Sequence, residues 1–65
     1  MTQAQEIAVK VLRAEPLATI EDVAVIAGVS RVHADRIANQ NGFDAETRAA
    51  ARNERLRYIA NLVCA

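Results

Sequence analysis

One proline and two glycines punctuate this chain and limit the length of every element it can build. Pro16 stops a helix, because Glu15 before it is pushed out of the α region. Gly28 and the Asn41-Gly42 pair supply turns, a glycine taking the left-handed conformation at no steric cost. Between these stops the apolar residues recur every three or four positions, which is the helical period. The expected fold is therefore all-α, a small bundle of about four helices in a single domain over residues 1–65, with no strands.

Each helix has its start signal. Thr2 is placed to cap the first, about residues 3–14, where Ile7, Val11 and Ala14 recur at helical spacing with Ala4 and Ala8 beside them. Thr19, followed by Asp22, has capping-box spacing and opens a second helix that ends before Gly28. Ser30 caps a third, from Arg31 to about Asn39. Asp44 caps the fourth, with Glu46 in its first turn, where a negative charge suits the helix dipole. Ala45, Ala49, Arg52, Leu56, Ile59 and Val63 lie three or four residues apart on it. Its apolar end is expected to cover the first helix, where Ile7, Val11 and Leu12 need a partner. The remainder is expected to be shared with a second subunit, as a homodimer through the C-terminal helix.

Composition narrows the class. Apolar residues make up 52% of the chain, which excludes a disordered segment, but many are alanine and fill little volume. Phe43 and Tyr58 are the only aromatics, so the core of a 65-residue domain is marginal. Cys64 is the single cysteine; it has no partner for an internal disulfide and there is no zinc spacing. That suits a reducing compartment. The longest apolar runs are far too short for a bilayer, and the N-terminus lacks the pattern of a signal peptide. The expected setting is the cytoplasm, bacterial or phage-infected.

The formal net charge is zero, which by itself speaks against a nucleic-acid partner. The distribution is uneven. Residues 1–29 hold Lys10 and Arg13 against Glu6, Glu15, Glu21 and Asp22. Residues 30–65 hold Arg31, Arg36, Arg48, Arg52, Arg55 and Arg57 against Asp35, Asp44, Glu46 and Glu54. The second half is net positive, and a local basic surface attracts phosphate whatever the total charge.

The stretch from Thr19 to Asn39 carries the strongest chemical signal. Val23 and Ala27 have the spacing to meet the next helix, Ala24 is small where two helices cross, and Gly28 makes the turn. Val29 plugs the space beneath it, and Ala34 and Ile37 return to the core. That is the outline of a helix-turn-helix, which lays its second helix in the DNA major groove. The run Ile20, Asp22, Val23, Ala24, Ala27, Gly28, Val29, Ser30, Arg36 and Ile37 resembles the helix-turn-helix of the lactose-repressor family. Asp44, Thr47 and Arg48 are similar to that family's next segment. The similarity covers roughly residues 19–50. It departs from the family in carrying a helix before the motif, and a hinge helix and sugar-binding domain are absent from these 65 residues. The resemblance therefore implies reading of double-stranded DNA but no inducer response, as in a small phage-like regulator of the Cro or excisionase type.

On the third helix Ala34 and Ile37 should point inward, and Arg31, Val32, Asp35, Arg36 and Asn39 outward. The resemblance puts Arg31, Val32 and Arg36 where base edges are read. Arginine grips guanine O6 and N7 with two bonds, and valine touches a thymine methyl. Thr19, Ser30, Asn39, Thr47, Arg48 and Arg52 suit phosphate or supporting roles. Asp35 lies four residues after Arg31, the spacing that would hold its guanidinium. Cytosine N4 is its other candidate partner. His33 has no nucleophile and acid around it to make a catalytic group, and reads as a boundary residue or phosphate contact. Arg48, Arg52 and Arg55 form either a solvated face or a phosphate-contacting ridge.

The expectation is a sequence-specific DNA-binding transcriptional regulator, a repressor by occlusion. It would need no cofactor, metal, membrane or small-molecule ligand, and would not be an enzyme. The alternatives are a protein-interaction module on the same fold, or an excisionase-like protein that bends DNA.

Overall fold

The capping groups named above are the residues at which the helices begin. The computed structural model describes residues 2–64. Four helices follow in order: α1 Gln3–Ala14, α2 Ile20–Ala27, α3 Arg31–Gln40 and α4 Ala45–Cys64. No strand occurs among the described residues, and none of these helices is long and apolar enough to cross a membrane. The Thr2 hydroxyl accepts from the Gln5 N–H (3.2 Å) while the Gln5 side chain accepts from the Thr2 N–H (3.0 Å). Thr19 and Asp22 form the same reciprocal box, both bonds at 3.1 Å. Ser30 Oγ accepts from the His33 N–H (3.2 Å), and Asp44 Oδ1 from the Thr47 N–H (2.8 Å). Each bond satisfies a donor that the first turn of a helix leaves without a partner.

Both glycines end a helix by the same device. Gly28 has φ 74° and Gly42 φ 81°, and no other residue described has a positive φ. After α2 the Val29 N–H reaches back to the Ala24 carbonyl (3.0 Å) and the Gly28 N–H to that of Val25 (3.3 Å). After α3 the Phe43 N–H reaches Ala38 (2.8 Å) and the Gly42 N–H reaches Asn39 (3.4 Å). These are Schellman ends, and in each the apolar residue past the glycine, Val29 or Phe43, packs on the core.

The core is built by three helices. Ala8 and Leu12 of α1, Val23 and Ala24 of α2, and Ala34, Ile37 and Ala38 of α3 are buried. Four of these seven are alanine, so the helix axes can approach closely where they cross. Ile37 and Val23 are the largest side chains fully removed from solvent.

The fourth helix departs from expectation. None of its residues is buried, and α1, α2 and α3 pack mainly on one another. Ala45, Ala49, Arg52, Leu56, Ile59 and Val63 are all exposed. The half-covered positions on α4 are Arg48, Ala51 and Arg55 instead. Of the α1 side chains expected to lie under α4, Leu12 is buried in the three-helix core, and Ile7 and Val11 are only half-buried. The physical reason lies in the alanines. Three helices crossing at small residues already close the core, and α4 meets them with two arginines and one alanine.

Two outcomes follow for stability. Ile37→Ala should cost about 2–5 kcal/mol, as much as the whole core of so small a domain supplies. It should lose its cooperative urea transition, whereas Ile37→Val, at about 0.5–1.5 kcal/mol, should keep one with a lower midpoint. Nothing lies within 4 Å of where a Cβ would sit on Gly28, so substitution there meets only the backbone penalty. Gly28→Ala should therefore cost about 1–2 kcal/mol, Gly28→Asn less, and Gly28→Val more. Equal midpoints for these three variants would place the cost elsewhere.

Candidate nucleic-acid interface

A helix turns about 100° per residue, and α3 buries the side defined by Ala34, Ile37 and Ala38. The opposite ridge carries Val32, Arg36 and Asn39, all exposed, with Val32 71% accessible. A valine held that far into solvent stabilises nothing inside this chain. Arg36 makes no ion pair among the described residues. Arg31 and Asp35 lie to one side of this ridge and lean toward the neighbouring helices.

That lean brings three helices together. Ile20 of α2, Arg31, Val32 and Asp35 of α3, and Arg48 of α4 line one hollow of about 350 Å³. Thr19, Ile20, Arg48 and Arg52 also line the hollow beside it, whose walls come from the α1–α2 loop, the start of α2 and the first half of α4. Thr19, Arg31, Val32, Asp35, Arg48 and Arg52 thus border one continuous surface. Ser30 stands at the N-terminus of α3 with its oxygen already accepting from His33. Thr47 lies on α4 and is engaged by Asp44. His33 is exposed.

The ion pairs differ from the spacing argument. Asp35 does not take Arg31. Its Oδ1 lies 3.6 Å from Arg48 Nη2, and Asn39 Nδ2 donates to its Oδ2 at 3.5 Å. Arg31 Nε faces Glu21 Oε1 at 3.9 Å across the α2–α3 turn. The i,i+4 rule treats a helix as isolated; here a neighbouring helix offers each charged group a counter-ion. Glu21 and Ile20 are the surface members that sequence reasoning missed. Glu21 carried one signal: of the two acids at the start of α2, Asp22 is taken up by the Thr19 capping box, which leaves Glu21 free to face an arginine.

The two pairs differ in strength. The Arg31 and Glu21 side chains are 74% and 71% accessible, so their pair is screened by water and holds Arg31 only loosely. The Arg48 side chain is 23% accessible, and its Nη1 is buried with no hydrogen-bond partner among the described residues. Its stem also lines a smaller hollow with Leu12, Pro16 and Phe43. Arg48 is committed to the body of the fold. Arg52 is exposed and unpaired among the described residues, which leaves it the freer cation.

Asp44 caps the start of α4. Hydrogen bonds from the Thr47 side chain and backbone N–H, with a smaller contribution from the Arg48 charge, hold its carboxyl below the ordinary aspartate value.

Comparison with known proteins found no matching family model, no matching curated protein and no matching solved structure.

The lowered Asp44 value has a sign. A carboxyl that ionises more readily folded than unfolded stabilises the fold fully above its unfolded pKa, and this is lost as pH falls through the lower folded value. Helicity followed by circular dichroism should therefore decline as the solution is taken below about pH 4. Asp44→Asn keeps an oxygen cap without the charge and should flatten the part of that decline due to α4. An unchanged acid profile in the variant would assign the decline to other carboxylates.

Proposed function

We propose that this chain is a sequence-specific double-stranded DNA-binding regulator of the helix-turn-helix class, with α3 as the helix that enters the major groove, acting as a repressor by occlusion. One observation carries the reading: Val32 and Arg36 stand fully outward on the α3 ridge, serving neither the core nor an ion pair among the described residues. An arginine for guanine and a methyl surface for thymine on one exposed helix face are the chemistry of base reading. Arg31 belongs to the same set, since its exposed pair with Glu21 costs little to exchange for a base or a phosphate. Arg52 and the Ser30 end of α3 supply backbone contacts beside it. Arg48 serves by position, holding Asp35 and the start of α4 against α3.

A second reading has its own observation. Two of the arginines on this surface, Arg31 and Arg48, already face acids, and the net charge is zero. That balance weakens attraction to a polyanion and suits docking on a protein surface instead. Selection of bound sequences from a random duplex pool separates the two. Recovery of a defined motif supports the regulator, and recovery of none supports the interaction module.

On a selected site, Arg36→Ala should weaken binding by about 1–3 kcal/mol and relax preference at one base pair. An equal loss on random duplex would move Arg36 to the phosphate contacts. Arg52→Ala should lower the slope of log affinity against log salt by about 0.9. Glu21→Gln, which releases Arg31, should strengthen binding and raise the slope.

A further inference from the structure

This chain leaves two apolar surfaces uncovered, and they are opposite in charge. The first is the far half of α4. Tyr58 lines a hollow beside Pro16 and Arg55. Beyond it Ile59, Leu62 and Val63 are exposed, Val63 to 78%, and with Leu56 they lie on one side of the helix. Arg52, which is exposed, continues the same side toward the helix start, and no residue from Tyr58 to Cys64 is charged. The second surface is a groove of about 430 Å³ between α1 and α2. Val11, Leu17, Val25 and Ile26 form its apolar walls, and its charged members are Glu15 and Asp22. Val25 is 81% accessible and Ile26 56%, values that mark a wall with nothing against it.

We propose that the far half of α4 docks in the α1–α2 groove of a second copy of this chain, and that the exchange is reciprocal, closing a two-fold dimer. The occupant is a second copy for three reasons. The helix cannot reach its own groove, because α4 runs unbroken from Ala45 to Cys64 with no proline or glycine at which to fold back. The charges match: the groove is acidic and apolar, the helix face basic and apolar. The lengths match as well. Residues 55–64 span about 15 Å of helix, and the eight residues of α2 about 12 Å. Direct pairing of two α4 helices in parallel would instead set Arg52 against its own copy. A reciprocal arrangement uses both uncovered surfaces twice and leaves the α3 ridge free, so it stands whether or not α3 reads DNA.

The test is sedimentation across a concentration series, with circular dichroism to confirm the fold of each variant. Both key side chains are exposed in the single chain, so Leu62→Lys and Val25→Lys leave its core untouched. The wild-type chain should form a dimer, and each variant should sediment as the 7.1 kDa monomer while keeping its helicity. Glu15→Arg should weaken the dimer tenfold or more, and adding Arg52→Glu should recover much of the loss. A dimer that survives Val25→Lys but not Leu62→Lys would mean that α4 pairs with α4, which overturns the groove. A wild-type chain monomeric at every concentration overturns the proposal. Association that grows without limit would be head-to-tail and would overturn reciprocal closure.

Discussion

Everything in this fold depends on how closely α1, α2 and α3 approach. Ala8, Ala24, Ala34 and Ala38 are buried where larger side chains would hold the helices apart. Close approach lets a few larger residues, Leu12, Val23 and Ile37, complete an interior that is nearly all backbone and methyl groups. The arrangement has a cost. Alanine buries little apolar area, and hydrophobic stabilisation scales with area. The capping boxes and Schellman ends matter correspondingly more here than in a domain with a large core.

The same economy explains how the surface is organised. Closing the core with three helices leaves α4 to lie along them by its first half only. Its inward residues there are Arg48, Ala51 and Arg55: Ala51 and Arg55 lie beside Pro16 of the α1–α2 loop, and Arg48 reaches the flank of α3 through its charge. Arg48 is the joint. Its pairing with Asp35 ties the start of α4 to the helix whose outer ridge carries Val32 and Arg36. The orientation of that ridge relative to Arg52 is therefore set by an ion pair, which salt weakens, as well as by packing.

Local chemistry was legible in the residues; long-range partnership was not. Thr2, Thr19, Ser30 and Asp44 marked the helix starts because a cap acts within three residues. Gly28 and Gly42 marked the ends because only a left-handed residue makes those turns cheaply. Val23, Ala34 and Ile37 were identifiable as core from their period, and so was the outward set Arg31, Val32, Asp35, Arg36 and Asn39. The failures concern neighbours far along the chain. Asp35 was four residues from Arg31, yet Arg48 came nearer in space. The apolar period on α4 was real, but a period records that a face should be covered and not by what. Nothing in Leu56, Ile59 or Val63 could say that Leu12 already had its partners in α2 and α3.

The unequal support of α4 has a consequence for how opening is distributed along the molecule. Amides around Val23 and Ile37 are shielded by all three packed helices and should exchange with solvent deuterium only when the whole domain opens. Amides from Ile59 onward belong to a helical end with no tertiary cover from its own chain, and a lone helix of about 20 residues is near the limit of what persists in water. In the single chain its last turns should therefore fray and re-form many times for each global opening. Exchange read residue by residue along α4 would trace where the folded body stops and where bare helix begins.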